Sequence, residues 1–259
     1  MKLADKFSEY LLEIFPSFYK KKYYQFLENV NFDNVLDKNL DPELVWVKNI
    51  LNADSVFIDI GASSGKYLKM LEDVLQPENI YAFEPNLTSY KRLKKLFPSI
   101  NLHPYALSSK NELVNYKIPI INQRVAHYKG TLQIDVKIEG EEKSIRQKVI
   151  SKRFDDWAEK NLFKKIDFIK IDVEGNEAYT LAGMVDTLLR CHPILMIEMQ
   201  QQHHKRPVWE YIQYFERYGY LAHYLDKNNF NLKPLTLEKC QEKCAINTPH
   251  NHIIFIPKK

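Results

Sequence analysis

The feature that most constrains this chain is a rhythm of short apolar runs, each ending in turn residues and followed by a helical stretch. Val56-Phe57-Ile58-Asp59-Ile60 closes on Gly61, and helical spacing runs from Lys66 to Leu75. Ile80-Tyr81-Ala82-Phe83 precedes a helical pattern over Thr88–Phe97, and Ile100–His103 follows. Phe168-Ile169-Lys170-Ile171 leads into a helical pattern over Asn176–Arg190, and then into Ile194–Ile197. Runs this short and apolar suit strands buried on both faces, which a parallel sheet covered by helices on each side provides. The expected fold class is α/β, a doubly wound, mostly parallel sheet.

Residues 113–153 break the rhythm. Val114, Tyr116, Ile118, Leu132, Ile134, Val136 and Ile138 alternate with polar neighbours, which predicts antiparallel strands inserted between the third and fourth parallel strands. Residues 251–256 read as a further strand, stopped by Pro257. Residues 1–50 read as helical: Phe7, Leu11, Leu12, Ile14 and Phe15 are helically spaced, and Tyr19–Val30 is rich in aromatics and Lys. Asp41-Pro42 opens a third helix, with Asp as N-cap and Pro in the first turn. The expected organisation is an N-terminal helical cap, 1–50, and one domain, 51–259, carrying the β insertion at about 113–153.

Composition removes several function classes. The net charge of +4 comes from 37 basic and 33 acidic residues, with the lysines scattered, and this speaks against a nucleic-acid partner. No apolar run approaches the roughly 20 residues of a membrane span, and MKLADKFSEY lacks the apolar core of a signal peptide. Three cysteines, Cys191, Cys240 and Cys244, suit a reducing compartment, so a cytoplasmic location is expected. Cys240 and Cys244 with His250 and His252 raise a zinc site, but the spacing fits no common finger and no metal site is predicted there.

The chemistry concentrates at the carboxyl ends of the apolar runs, where open α/β sheets bind ligands. Asp59-Ile60-Gly61-Ala62-Ser63-Ser64-Gly65 makes a tight turn into a helix. A dinucleotide fingerprint would need Gly where Ser63 and Lys66 stand, so the looser D-x-G-x-x-x-G fits instead. Glu84, a little over 20 residues past Gly61, can accept two ribose hydroxyls. Asp172 and Glu174 leave the fourth run together, flanked by Asp167 and Glu177, and could orient a ligand, accept a proton or hold a divalent ion with Glu198. Glu174 and Glu177 could also simply complement the following helix dipole. After the fifth run come Glu198, Gln200, Gln201, Gln202, His203, His204, Lys205 and Arg206, where either histidine could act as a base.

Taken in order, FIDIGASSGKY, YAFEP, PYALSS, RFDDW, IDFIKIDVEGNEAYTLAG and ILMIEM resemble the FkbM family of S-adenosylmethionine (SAM) dependent methyltransferases, over roughly residues 55–225. The resemblance implies a Rossmann-like class I methyltransferase domain, SAM as cofactor and O-methylation of hydroxyls on sugars, glycans or secondary metabolites. By motif, Asp59, Gly61, Ala62, Ser63 and Gly65 would hold the methionine part of SAM, and Glu84 the ribose. Ala106 and Leu107 would line the adenine, with Ser108 near its amino edge. Asp172 and Glu174 would lie between SAM and acceptor, with Asp172 nearer the SAM amino group. Ser63 departs from the family's usual Asn.

The expected function is methyl transfer to a hydroxyl of a sugar or glycan acceptor, with Glu174 or His204 favoured as base, His203 and Asp172 as further candidates, and metal assistance ranked below them. Tyr19, Tyr23, Tyr128 and Trp157 are candidate sugar platforms, Trp157 rather as core. Nucleic-acid N-methylation is disfavoured because DVEG stands where such enzymes carry Asn/Asp-Pro-Pro-aromatic. An oxidoreductase or sugar-nucleotide enzyme on a related fold, and a non-catalytic binding module, are the alternatives; a homo-oligomer is compatible with the sequence.

Overall fold

The computed structural model describes residues 11–161, 163–245 and 252–258. Phe7, His250 and Asn251 lie outside them, and with them the start of the first expected helix and one of the four zinc candidates. In chain order the strands are β1 (Phe57–Ile60), β2 (Ile80–Phe83), β3 (Asn101–His103), β4 (Tyr105–Leu107), β5 (Glu112–Ile121), β6 (Arg124–Val125), β7 (Glu141–Lys152), β8 (Phe168–Ile171), β9 (Ile194–Glu198), β10 (Tyr220–Leu225), β11 (Leu232–Pro234) and β12 (His252–Pro257). The α-helices are α1 (Pro16–Tyr23), α2 (Pro42–Ile50), α3 (Lys66–Leu71), α4 (Leu87–Leu96), α5 (Phe154–Lys160), α6 (Glu177–Ala182), α7 (Val185–Cys191), α8 (Val208–Glu216) and α9 (Leu237–Lys243).

An eight-stranded sheet has the order β11-β10-β12-β9-β8-β1-β2-β3. The segment from β9 to β3 is parallel, and β10, β11 and β12 close the other edge antiparallel. Alternation along the strands feeds two apolar layers. Phe57 and Phe168 meet Leu44 and Val47 of α2, Leu68 and Leu71 of α3, and Leu93 and Leu96 of α4 on one face. Ile58, Ile60, Ile169 and Ile171 meet Phe154, Leu181, Leu188, Ile212 and Phe215 on the other. Helices on both faces are what make the strands wholly apolar. Asp59 and Lys170 are the polar exceptions, and they are register partners on β1 and β8.

The insertion forms a second sheet, β4-β7-β5-β6. Its second long strand is not the apolar stretch 132–138 but the polar one, Glu141–Lys152, paired antiparallel with β5. Residues 132–138 turn instead, with the Ile134 and Val136 amides donating to the Leu132 and Gln133 carbonyls at 2.9 and 3.2 Å. The expected helix over Asn176–Arg190 is two helices, split at Gly183. A Cβ there would lie 2.1 Å from the Ser108 carbonyl oxygen, so the helix breaks where it crosses the β4 exit. Asp155, in the RFDDW stretch, stitches this corner by accepting from the Thr187 amide and hydroxyl at 2.9 and 2.7 Å. Asp41 precedes Pro42 of α2, but its side chain makes no cap hydrogen bond; it pairs with Lys66 at 3.1 Å. Among the described residues no helix is long and apolar enough to cross a membrane.

Candidate active site

Strand order reverses at β1, which lies between β2 and β8, and a crevice opens beyond their carboxyl ends. The loop leaving β1 enters left-handed backbone at Gly61 (φ +81°), Ser63 (+48°) and Gly65 (+78°). A Cβ on Gly61 would lie 1.9 Å from the Asp172 carbonyl oxygen, so this glycine lets the exits of β1 and β8 cross. The sequence suggested ligand approach as its reason; backbone against backbone is the contact found. At Gly65 a Cβ would meet Leu93 at 2.6 Å and the Tyr24 hydroxyl at 2.7 Å. That hydroxyl donates to the Ser64 carbonyl at 2.6 Å, so the N-terminal segment braces the loop.

Glu84 follows β2 and is 3% exposed. Its two oxygens each accept one backbone N–H, from Ser63 at 2.7 Å and from Asn86 at 2.8 Å. Each oxygen keeps a further acceptor position. Burial pushes this carboxyl up to about 7, against the two N–H donors that favour its ionised form. Asn86 caps α4 by accepting from Thr88 and Ser89 at 3.1 and 3.4 Å. With its oxygen so used, its amide faces His127 Nδ1 at 3.0 Å.

Beside Glu84 opens a cavity with about 510 Å³ of empty space. Phe83, Tyr105, Ala106, Leu107 and Val173 give it apolar walls; Glu84, Asp172, Glu174 and Asn176 give it polar ones. Ala106 and Leu107 thus line it, whereas Ser108 is absent from the lining and donates its amide to Lys152 at 2.9 Å. An adenosine needs this combination of flat apolar walls and a diol acceptor. Asp59 Oδ2 is buried with no hydrogen-bond partner among the described residues. The apolar walls, the Glu84 acceptor positions and this orphaned oxygen fit SAM.

A second, wider cavity adjoins the first, with Gly61, Ser63, His127, Tyr128, Asp172 and Glu174 common to both. Ala62, Lys66, Arg92, Lys129, Lys170, Glu198, Gln200 and His252 complete much of it. Lys170 Nζ lies 3.2 Å from Asp59, 3.4 Å from Asp172 and 3.3 Å from the Gly61 carbonyl. Burial works against its ammonium, but Asp59 and Asp172 outweigh it and hold the Lys170 pKa above its ordinary value. In turn Asp172 is kept below the ordinary range, because Lys170, His252 and a hydrogen bond from Glu198 overcome its burial. Its neighbour Glu198 is pushed well above the ordinary carboxylate range by burial and by Asp172 and Glu174. Glu174 is pushed up to about 8 by burial, then by Asp172 and Glu177. It sits in left-handed backbone (φ +52°), and its carbonyl accepts from Thr131 of the insertion at 2.6 Å. A non-glycine residue held there marks stored backbone strain, which clusters at functional sites.

The expected residues divide. Asp172, Glu174, Glu84, Gly61, Ala62 and Ser63 line the two cavities, and Asp59 lies beneath them. Neither His203 nor His204 lines either cavity. The His204 side chain is buried with Nε2 3.2 Å from Glu177, too poorly aligned to hydrogen-bond, and its ring packs on Tyr211. His203 Nε2 stands 3.7 Å from Glu174, and burial lowers its pKa. Of the candidate platforms, Tyr23 and Tyr128 line the second cavity, Tyr19 stacks on Tyr23, and Trp157 is core among Phe83, Phe154 and Phe163. The zinc alternative loses His252, which lies against Glu43 at 3.9 Å, while Cys240 and Cys244 pair with each other on α9. Among the described residues no three His, Cys, Asp or Glu side chains are grouped to hold a metal ion.

Lys170, Arg92, Asn86, His127 and His252 were not singled out for the site from sequence. Lys170 had a signal: a lone lysine inside an apolar strand is costly unless paired. The others reach the site from a helix, the insertion and a distant strand, which no local pattern announces.

The sheet order is that of a Rossmann-like fold, and the candidate site lies at the switch point beside β1. The Methyltransferase FkbM domain matches residues 59–222, well over half of the chain, and the chain belongs to that family. The matched domain is a methyltransferase domain. No curated protein matches the sequence. Similar solved structures include the methyltransferase FkbM from Methylobacillus flagellatus, with 15% identity, TM-score 0.48 and coverage of 80% of this chain and 45% of that one. The chain thus spans less than half the length of that protein. An rRNA methylase from Streptococcus thermophilus has 13% identity, TM-score 0.42 and coverage of 84% and 95%. SMU.1697c from Streptococcus mutans, in complex with SAH, has 13% identity, TM-score 0.43 and coverage of 82% and 93%. At such values the family assignment rests on the domain match.

Proposed function

We propose that this methyltransferase acts on a hydroxyl of a sugar, glycan or sugar-containing metabolite, with Glu174 as the base. The observation that carries the reading is the Glu174 carboxyl at the junction of the two cavities, poised near neutrality. SAM supplies an electrophilic methyl group. The protein's task is then to align a hydroxyl and accept its proton. A carboxylate whose pKa is about 8 takes a proton far more readily than an ordinary one.

The remaining groups support that role. Glu84 would accept the ribose hydroxyls, and Ala106, Leu107 and Phe83 would enclose the adenine. Asp172, kept ionised by Lys170, would face the positive end of SAM, with Asp59 and the loop 61–65 behind it. Tyr128 offers a face to a sugar ring, and Gln200 and Ser89 offer hydrogen bonds. A small acceptor rather than a nucleic acid, and a cytoplasmic setting, complete the reading. His203 and His204, being outside the cavities, pass to positioning roles around the Gly175 turn.

The experiment is incubation of the purified protein with labelled SAM and a panel of sugars, polyols and amines, followed by mass analysis of the product. An O-methyl ether on a hydroxylated acceptor is expected. Methyl transfer confined to nitrogen or carbon would overturn the proposal.

A further inference from the structure

The second cavity is electrically two-sided. Its acidic side is Asp172, Glu174 and Glu198. Its basic groups are Lys66, Arg92, Lys129 and the buried Lys170. Two of these are neutralised within the fold, Lys170 by Asp59 and Asp172 and Lys66 by Asp41. Arg92 and Lys129 are not: among the described residues neither forms an ion pair with a carboxylate. Arg92 spends one N–H on the Ser63 carbonyl at 3.1 Å and lies over the Tyr23 ring at 5.3 Å, and its Nε is buried without a partner. Lys129 ends the turn His127–Lys129, which also brings Tyr128 to both cavities.

His127 lines the same cavity as these two cations. Asn86, committed by its capping oxygen, donates to Nδ1, which leaves the proton on Nε2 and the ring neutral. Burial and the Arg92 charge both favour that neutral form. The wall thus presents a guanidinium, an imidazole and an ammonium; Arg92 acts on Glu84 and Lys129 on Glu174 only at longer range, and among the described residues neither cation is in an ion pair. Half-buried cations kept without a partner are costly, and their use is to receive one.

We infer that the acceptor carries an anionic group, a phosphate or a carboxylate, which the Arg92–His127–Lys129 wall binds while a neighbouring hydroxyl is presented to Glu174. The inference rests on the acceptor reading given above and narrows it to acidic or phosphorylated sugars. It also gives the inserted sheet a purpose, since the turn bearing Lys129 follows directly on β6.

The test is calorimetric titration of the SAH-saturated protein with inorganic phosphate, glucuronate and glucose. Phosphate or glucuronate should bind and glucose should not; whichever anion binds more tightly identifies the source of the charge. Lys129→Ala should weaken the anion about tenfold or more, Lys129→Arg should retain it, and raised salt should weaken it. SAH affinity should not change in either variant. Equal binding of glucose, or an anion affinity indifferent to Lys129→Ala, would overturn the inference. A loss of SAH affinity in Lys129→Ala would overturn it too, assigning the wall to the methionine carboxylate. Methylation of a neutral sugar hydroxyl without anion binding would sink this inference alone, whereas anion binding with an N-methylated product would sink the O-methylation reading alone.

Discussion

Glu174→Gln keeps shape and removes one titratable group from the junction of the cavities. In the folded protein that group's pKa is about 8, against an ordinary value of 4.5. Between those two values the folded chain holds a proton that the unfolded chain releases. Folding then binds protons, so this residue makes stability fall as pH rises through the window and level off above the folded pKa. At about 1.4 kcal/mol per pH unit the ceiling is roughly 5 kcal/mol, part of it shared with the interacting Asp172 and Glu198. Denaturant unfolding of the cofactor-free protein should find variant and parent nearly equal at about pH 5, and the variant more stable by a few kcal/mol at about pH 9. With an acceptor in hand, turnover should fall roughly 10²–10⁴-fold, and the parent's rate should rise with pH up to about 8. A stability difference that is flat with pH, or undiminished turnover, would refute the assignment.

Gly61→Ala forces a Cβ to within 1.9 Å of the Asp172 carbonyl oxygen, so thermal unfolding should show a loss of several kcal/mol; a parental Tm would show that the crossing of the strand exits tolerates a side chain. His204→Ala should lower stability through the lost packing on Tyr211 and leave the pH–rate profile in place, and a shifted profile would return the imidazole to the list of bases. Ser63→Asn should leave SAH affinity unchanged and raise Tm slightly, because Asn accepts the left-handed backbone that Ser63 occupies at φ +48°; a drop in Tm would mean the hydroxyl itself is needed.

The strands that carry the site were legible because each is a pure apolar run stopped by a residue with a job: Ile60 by Gly61, Phe83 by Glu84, Ile171 by Asp172. The insertion was legible as a β element but not in its detail. Glu141–Lys152 pairs with β5 through the backbone while most of its side chains face solvent, so no apolar period betrays it. The apolar alternation at 132–138 belongs to a turning segment that covers the first cavity with Leu132. The break at Gly183 depends on the Ser108 backbone crossing it, a tertiary contact invisible to helical periodicity. For the bases, His203 and His204 follow the right strand, but neither lines a cavity, whereas Glu174 lines both; which of them the loop after β9 would bring to the site depends on its fold, which no local pattern announces.

The most direct test of the account is the pH dependence of SAH affinity, measured by calorimetry on the parent and on Glu84→Gln. In the proposed mode the ribose hydroxyls would donate to an ionised Glu84, whose pKa in the free protein is raised by burial to about 7. Binding by the parent should therefore tighten as pH rises through about 7 and then level off. Glu84→Gln should bind at least tenfold more weakly above that range, with the Glu84-linked tightening gone. Parental affinity in the variant, or the same pH dependence in both proteins, would contradict the claim that the cofactor lies in the cavity beside Glu84.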